Sequence, residues 1–444
     1  MKAIKTFILF FTLHSSLFIL CSCDDFLNIT PTGKVIPNTL EEYRALITYE
    51  YDNFVCDRYM TTIRTDEARL GPQTSSEDLD AYLDLWLWKD EDPSPTTTYF
   101  SWRTYYHSIY IANYILEHRG EITGGSADDI SQLVGEAYMM RAYNHFMLVN
   151  LYAQAYTHCD PATTRGVPIM LKADVNAVPR SSSVEAVYKQ VLSDIDEAEK
   201  YMKVDKWELG YNYRFNTVSV NLLRARTYLY MAEWQKAYDA AKTVIDKRPE
   251  LENLNLLDSK LPDAPESQEN IVALEHFRTN MSTVISMVNN ELLNKYRDGD
   301  LRKTMYFKSG SPVTLLKSKG YCSFRSAEAY LTAAEALANQ GKTAEAIAQL
   351  LPLLNKRLNS TALTAAQDLM TPMTQSELLH EIYDERAREL AFEGHRWYDL
   401  RRTTQPQLTR KYGGVTYTLT PEKYTMKFPP EAVEANPEIV IWDE

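Results

Sequence analysis

The stretch NLLRARTYLYMAEWQKAYDAAKTVIDKRP, residues 221–249, decides the fold class. Its small, aromatic and proline residues stand at successive offsets of 3, 12 and 24 from the first alanine: Ala225, Tyr228, Ala237 and Pro249. These are the offsets of a tetratricopeptide unit, in which small residues lie where two helices cross and a proline closes the unit. The stretch therefore predicts a helical hairpin of the tetratricopeptide type.

A second stretch, AYLTAAEALANQGKTAEAIAQLLPLL at 329–354, repeats part of this register. Ala334 and Ala346 keep the twelve-residue spacing of small residues, although Leu337 stands at the aromatic position. An ordinary helical hairpin is the alternative for each unit, but two units in one register favour a repeat. Residues 129–156 carry apolar side chains at three- and four-residue spacing, which predicts another helix. The chain is therefore predicted to be mainly α-helical.

Two long segments lack a regular apolar period, one at about 48–100 and the other at about 250–322. Loops this long in a compact domain usually carry function or are disordered, and the aromatic residues of the first segment favour function. Near the C-terminus, alternating apolar residues at 415–419 and 424–428 flank Pro421. This pattern predicts a small β-hairpin that turns at the proline.

The N-terminus has the composition of a secretory signal. Lys2 and Lys5 form a short basic head, and a mostly apolar run follows from Phe7 to Leu20. Such a run is too short to span a bilayer comfortably, but it has the length of the apolar region of a signal peptide. The sequence thus predicts a signal that is removed from the mature protein.

The end of this signal resembles a bacterial lipobox. Leu20-Cys21-Ser22-Cys23 places the small Ser22 directly before Cys23, which makes Cys23 the predicted lipidation site. Two or more acyl chains anchor a protein stably, because each buried methylene adds about 0.8 kcal/mol. The two aspartates that follow resemble the tag of Bacteroidetes lipoproteins sent to the cell surface. We therefore expect a signal peptide at 1–22, an acylated tether at 23–40 and a single domain at 41–444.

The charge balance argues against nucleic acid as a partner. The chain has 47 basic and 60 acidic residues, and removal of Lys2 and Lys5 with the signal leaves 45 basic residues and a net charge of −15. Cysteines are few and odd in number after the lipobox, and the histidines lack a two-histidine zinc spacing. No nucleotide-binding glycine loop or nucleophile elbow occurs. The sequence accordingly predicts neither a metal nor a cofactor.

The stretch ERARELAFEGHRWYDLRR, residues 385–402, strongly resembles the C-terminal signature of the SusD/RagB family of Bacteroidetes outer-membrane lipoproteins. Other pieces agree in the order of the family: WRTYYHSIYIAN at 102–113, EAYMMRAYNHFMLVNLYAQAY at 136–156, RFNTVSVNLLRARTYLYMAEWQKA at 214–237 and DLRK at 300–303. Each piece is weak alone, but the ordered set is specific. Two features depart from the pattern, because Ala387 replaces a common arginine and the proline-rich tail is short.

The resemblance implies a fold, a partner and an activity. The fold is a helical scaffold of about four tetratricopeptide-like units with a loop-rich ligand-binding face and minor β structure. The partner is a SusC-like TonB-dependent transporter, over which such proteins act as a lid at the outer membrane, facing the cell exterior. The ligand is an oligosaccharide or, for some members, a peptide. The implied activity is binding without bond cleavage.

The C-terminal stretch allows two interpretations, an active site or a structural charge cluster. Glu389 and Glu393 are four residues apart, so on a helix they form a like-charge pair that needs cations nearby. Arg388 and Arg396 can supply them, and Asp384 is spaced to support Arg388. A glycosidase needs one protonated carboxyl of a pair about 5–10 Å apart, and arginines around both would keep both ionised. We therefore predict a structural role for these five residues and no catalytic residue.

Aromatic residues are the ligand-binding candidates. Trp86 and Trp88 alternate with two leucines, so both indoles face one side if the segment is extended. Flat aromatic faces stack on the apolar faces of sugar rings, whereas the alternative is that the indoles anchor a loop onto the core. Trp207 and Tyr211 form a second aromatic group before a helix, and Asp66 in an early loop is a candidate to contact the ligand or support it.

Two functions from other classes compete with this interpretation. One is a secreted hydrolase on a helical scaffold, and the other is a tetratricopeptide scaffold that binds only protein partners. A peptide-binding member of the SusD/RagB family is a third alternative. The sequence favours a cell-surface protein that captures a nutrient, most simply a glycan, and delivers it to a transporter.

Overall fold

The computed structural model describes residues 36–53, 57–70, 74–274, 287–310, 313–317 and 324–441. The predicted signal peptide, Cys23 and most of the tether lie outside these residues. In chain order the described helices are α1 (Leu40–Asp52), α2 (Asp57–Ile63), α3 (Ser76–Leu87), α4 (Trp102–His118), α5 (Ala127–Tyr152), α6 (Val184–Tyr201), α7 (Thr217–Tyr230), α8 (Trp234–Lys247), α9 (Asn290–Leu293), α10 (Arg302–Met305), α11 (Ser326–Asn339), α12 (Thr343–Arg357), α13 (Ser360–Met370), α14 (Gln375–Glu389), α15 (Arg396–Arg402) and α16 (Pro430–Ala435).

The described strands are short and pair only locally, each antiparallel to one partner. They are β1 (Asn270–Val272), β2 (Phe307–Lys308), β3 (Thr314–Leu315), β4 (Phe324–Arg325), β5 (Leu408–Tyr412) and β6 (Val415–Leu419). β1 pairs with β4, β2 with β3, and β5 with β6. Three of these strands lie in the segment at about 250–322.

Helices α7 and α8 form the hairpin predicted from the opening stretch. Ala225 and Ala237 are completely buried, as small residues at a helix crossing should be. The second unit is α11 and α12, where Ala334 and Ala346 are equally buried. α8 packs on α11, so the two units stack although a long segment separates them in sequence. The fold is the mainly α-helical, tetratricopeptide-like scaffold that was predicted.

The remaining long helices extend this stack. α4 packs on α5 and α5 on α6, and α14 packs against α11 from the C-terminal end. The starts of several helices follow from their sequences, because a hydroxyl side chain at the N-cap accepts a hydrogen bond from a free backbone N–H of the first turn. Thr374 and Glu377 form the capping box of α14 predicted for this position. None of the described helices has the length and apolar character needed to span a bilayer.

The segment at about 48–100 is more helical than its sequence suggested. It contains the end of α1 and all of α2 and α3, and Ser75 caps α3 by accepting from the N–H of Asp78. The segment around Trp86 and Trp88 is therefore not extended, which was the condition for both indoles to face one side. α3 ends at Leu87, and Trp88 follows it as the C-cap residue with a left-handed backbone, φ of 56°.

The C-terminal hairpin exists, but its partner strand differs from the prediction. β6 covers the expected residues 415–419, whereas its partner is β5 and the turn lies at Gly413 and Gly414, both with positive φ. Residues after Pro421 instead form a single 3-10 turn, Pro421–Tyr424. Two glycines that accept left-handed backbone conformations explain why the turn forms there.

Candidate functional site

Trp88 does not offer a face to a ligand, which corrects its predicted role. Its side chain is completely buried, and its indole N–H donates to the carbonyl of Arg64 at 2.9 Å. The guanidinium of Arg410 lies 4.3 Å from the Trp88 ring and 4.7 Å from the Trp86 ring. Trp88 thus anchors the end of α3 to the β5–β6 hairpin, which was the structural alternative. Trp86 is half-buried, and its ligand role stays a prediction.

Asp66 is likewise held by an internal partner, which fits a supporting role, and its contact with a ligand stays a prediction. Both of its carboxylate oxygens accept from Arg396, at 2.8 and 2.7 Å. Burial would raise the pKa of Asp66, but Arg396 outweighs it and lowers that pKa. The pair joins the loop after α2 to the start of α15.

Trp207 lies at an open cleft between the ends of several helices. Its indole N–H donates to the carbonyl of Phe215 at 3.0 Å, which fixes the edge of the ring. The guanidinium of Arg214 lies 3.7 Å from the ring centre. A cation over an indole face is attracted by the ring's electrons. The half-buried indole is therefore held in one orientation before any ligand arrives.

A buried carboxylate beneath the cleft fixes Arg214 in turn. Glu136 of α5 is completely buried and accepts from Arg214 at 2.7 and 3.2 Å. Arg44 of α1 donates to the same carboxylate at 2.8 Å, and the Tyr51 hydroxyl donates at 3.0 Å. Burial lowers the pKa of Arg214, but the bonds to Glu136 outweigh it and raise that pKa. Glu136 therefore ties α1, α5 and the loop before α7 together.

The cleft has a volume of about 680 Å³, within the range of small-ligand sites. Side chains of α1, α5 and the loop after α6 line it, and the polar ones include Glu41, Asp128 and Lys203. Tyr211 follows Trp207 in the same loop and is 57% exposed. Carboxylates and an aromatic face at one cleft suit the hydroxyls and the apolar faces of a sugar. The ligand roles of Trp207 and Tyr211 stay predictions.

Glu389 lies completely buried at the centre of the predicted charge cluster, whereas Asp384 at its edge is partly exposed. Its carboxylate accepts from Arg302 at 2.9 Å, from Arg325 at 2.7 Å and from Arg357 at 2.8 to 3.1 Å. Burial alone would raise the pKa of Glu389, but the three arginines hold it well below its usual range. None of the three arginines was among the residues proposed from the sequence.

The other members of the cluster have partners at its edges. Glu393 accepts from Arg325 at 2.7 Å and from Lys317 at 2.5 Å. Arg388 pairs with Glu385 at 2.8 Å, whereas Asp384 lies with Lys295 instead of Arg388. Helical spacing therefore predicted the right stretch but the wrong partner for Asp384. Its partner is Lys295, which follows α9 and is distant in sequence.

Neither glutamate of the cluster is placed to act as a general acid. Burial would raise the pKa of Glu393, but Arg325 and Lys317 outweigh it and lower that pKa, as the arginines do for Glu389. A retaining or inverting glycosidase needs a carboxyl that stays protonated beside an open cleft. Among the described residues, no group of three or more His, Cys, Asp and Glu is placed to hold a metal ion.

Comparison with known proteins identifies the family. The model of the SusD family matches residues 275–437, and a second family model, described as starch-binding associating with outer membrane, matches residues 31–229. The chain belongs to the SusD/RagB family.

Individual SusD relatives agree with this. SusD-like protein P38 of Formosa agariphila is 26% identical over 267 residues, which are 55% of this chain and 46% of that protein. The match thus spans about half the length of this curated relative. A SusD superfamily protein from Bacteroides thetaiotaomicron superimposes with a TM-score of 0.74 at 22% identity, covering 91% of this chain and all of that one. Surface glycan-binding protein A from Bacteroides uniformis gives a TM-score of 0.70 at 15% identity, with 90% and 99% covered. At these identities the structures establish the shared fold.

Sequence reasoning missed the residues that build the cleft of this SusD family member. Glu136 carried a signal, because it is the one acid in the largely apolar stretch 130–152, and a buried acid there needs a cationic partner. Arg214 opens the piece that resembles the family's motif before α7, yet nothing in its spacing points to Trp207 or to Glu136. Their contact depends on how α5 packs beside that loop, which spacing along the chain cannot show.

Proposed function

We propose that this protein captures an oligosaccharide outside the cell and delivers it to a SusC-like TonB-dependent transporter in the outer membrane. The observation that carries the proposal is the fixed indole of Trp207 at an open cleft of a SusD family fold. One structural relative is named a surface glycan-binding protein, and one matching family is described as starch-binding. Both names support a glycan as the ligand.

The cleft offers the contacts that sugar recognition requires. An aromatic face stacks on the C–H faces of a pyranose ring, and carboxylates accept from its hydroxyls. The orientation of Trp207 is already set by Phe215 and Arg214, so a ligand does not spend binding free energy on ordering it. A preorganised aromatic residue is therefore a suitable binding surface.

Binding without catalysis is part of the proposal. The basic residues around Glu389 and Glu393 lower the pKa of both buried carboxyls, which is unsuited to glycoside hydrolysis. In the cleft, Glu136 is saturated by arginine and tyrosine donors. Retention of intact ligand after long incubation, followed by chromatography, tests this part against the hydrolase alternative.

The test of the proposed function is binding of the purified domain to a panel of oligosaccharides and peptides. Trp207→Ala should weaken binding of the captured glycan about five- to thirty-fold, because a stacking aromatic contributes roughly 1–2 kcal/mol. Titration calorimetry on folded protein measures this. Trp234→Ala, which removes a half-buried tryptophan of α8 away from the cleft, is the matched control and should bind normally.

Three results of this panel contradict the proposal in different ways. Capture of peptides alone supports the peptide-binding alternative. Equal binding by Trp207→Ala and the unchanged protein places the ligand elsewhere. Binding of neither class by a folded protein removes nutrient capture as the function.

Lipid anchoring at Cys23, with the partition into 1–22, 23–40 and 41–444, is proposed alongside. Cys23→Ala should lose fatty-acid labelling and leave an unprocessed or released protein, because the acylated thiol is absent. Metabolic labelling and membrane fractionation measure the two effects. Cys21→Ala is the matched control, and labelling that follows Cys21 instead would overturn the assignment.

A further inference from the structure

The cations at the cleft are already matched by carboxylates. The buried Glu136 binds the two arginines, Arg44 and Arg214, whose side chains are 22% and 13% exposed. The ammonium of Lys203 lies 3.9 Å from the carboxylate of Asp128. An acidic sugar entering here finds no cation among the described lining residues that lacks an internal partner.

The rim adds further negative charge. Three carboxylates line the cleft against three cations, namely Glu41, Asp128 and Asp129 against Arg44, Lys203 and Arg214. Glu136 beneath them adds a fourth carboxylate, so the described charges around the cleft sum to −1. Glu41 and Asp128 are exposed at this cleft, which Trp207 also lines.

We propose that this cleft selects uncharged oligosaccharides over acidic ones, and that Glu136 is the residue that determines this selectivity. The inference rests on the proposed function, because it concerns the charge of the glycan that the same cleft takes. Glu136 acts through the two arginines, because its carboxylate accepts hydrogen bonds from both guanidiniums and holds them turned inward. Without it, both guanidiniums are free to bind a carboxylate or sulfate on a sugar, as arginines do in bidentate geometry.

The size of the effect follows from simple electrostatics. In water, one pair of like charges about 7 Å apart weakens binding by a factor of about two to three. A hexasaccharide with several carboxylates should therefore bind at least about fivefold more weakly than its uncharged counterpart. Salt screens charges at an exposed rim, with a Debye length of about 10 Å at 0.1 M, so the gap should shrink at high ionic strength.

The experiment compares matched probes on the folded domain. Maltohexaose and laminarihexaose are each titrated beside the same oligosaccharide with its primary alcohols oxidised to carboxylates. The unchanged protein should bind the oxidised form at least about fivefold more weakly at low salt, and the gap should narrow in about 0.5 M salt. In Glu136→Gln, which keeps the shape and one acceptor, the oxidised form should gain at least about threefold relative to its parent.

A second variant guards against failure of the buried substitution to fold. Glu41→Gln/Asp128→Asn removes two exposed rim charges but keeps an acceptor at each position, so the affinity for the oxidised probe relative to the neutral probe should rise about twofold or more. Glu345→Gln/Asp368→Asn removes two exposed charges on α12 and α13, which do not line the cleft, and should change neither.

The outcomes separate this inference from the proposed function. Equal or tighter binding of the oxidised probe, still lost in Trp207→Ala, overturns the charge selectivity and leaves glycan capture standing. A neutral probe that binds Trp207→Ala as well as the unchanged protein overturns the cleft as the glycan site, and the inference with it. Binding of neither probe form by the folded domain overturns both.

Discussion

At the scale of single residues, neighbours decide whether a buried carboxyl is charged. Glu67 is completely buried and its nearest donors are the N–H of Phe392 at 3.0 Å and the Thr65 hydroxyl at 3.4 Å. Burial raises the pKa of Glu67 to about 8, and the neighbouring Asp66 adds to the rise. Glu393 is nearly as buried, yet Arg325 keeps it ionised. Two buried glutamates beside the same turn therefore differ in charge at neutral pH: Glu67 is protonated and Glu393 is ionised.

Glu67→Gln should make stability less dependent on pH. The raised pKa means that the unfolded chain releases this proton near pH 4.5 and the folded chain only near pH 8. Stability from Glu67 is therefore complete below about pH 4.5 and is lost as the pH rises to about 8. From about pH 5 to about pH 8 the unchanged protein should lose about 3–4 kcal/mol relative to Glu67→Gln.

Urea denaturation at both pH values measures this difference. Glutamine keeps an acceptor for the N–H of Phe392, so the substitution preserves the local bond. Glu77→Gln, at an exposed position of α3, controls for the loss of one carboxylate. A stability gap that stays constant across this range would show that Glu67 is already ionised in the folded protein.

Single residues also mark where sequence reasoning fails. The position of Trp88 in an aromatic, acid-flanked segment suggested ligand binding, but its true partner, Arg410, is more than 300 residues away in the chain. No pattern in the sequence around Trp88 predicts a contact with a residue so distant in the chain. Trp207 and Trp88 were both ligand-binding candidates in the sequence, and the structure separates them by burial, which only packing of the surrounding helices determines.

At the scale of elements, long helices with a clear apolar period and a cap could be predicted from the sequence. Short helices whose apolar residues fit a helix and a strand equally well could not. Residues 221–249 combine small residues, an aromatic and a proline at fixed offsets, so α7 and α8 were predictable. In α3, the alternation of leucine and tryptophan imitates a strand, whereas the Ser75 cap begins a helix. For short apolar runs the two periods overlap, and the cap is the stronger evidence.

Arg410 should determine whether the β5–β6 hairpin stays docked. It donates to the carbonyls of Ile63, Thr65 and Trp86 and covers the Trp88 ring. Burial and the nearby Arg64 lower the pKa of Arg410, so its hydrogen bonds rather than an ion pair hold it.

Arg410→Ala should therefore speed amide hydrogen exchange across residues 408–419, because three carbonyls lose their donor and the ring loses its cover. Mass-spectrometric exchange measures this, and α7 should keep its protection. Lys411→Ala, at the exposed neighbouring position of β5, is the control. Unchanged exchange at 408–419 would mean that strand pairing alone holds the hairpin.

At the scale of the whole molecule, the charge network around Glu389 joins elements that are far apart in sequence. Arg325 at the start of α11 contacts Glu269 from the segment before β1 and Glu393 from the turn after α14. Arg357 at the end of α12 contacts both Glu269 and Glu389. The signature stretch therefore closes the repeat scaffold onto its own C-terminal helices, which the sequence indicated by composition but could not resolve into pairs.

Arg325→Met should destabilise the whole fold and leave the cleft unaltered. The substitution keeps an apolar side chain of similar length and removes the donor of five hydrogen bonds to Glu269, Glu389 and Glu393. Removing one partner from a buried charge network costs about 3–5 kcal/mol, because carboxylates remain buried with fewer donors. The loss should appear in urea denaturation, whereas glycan affinity per folded molecule should not change.

Arg224→Met removes an arginine of α7 paired with exposed carboxylates and should cost about 1 kcal/mol or less. Equal losses in both variants would show that burial of the network adds nothing to stability, and lost binding in a stable Arg325→Met would place the network in ligand capture.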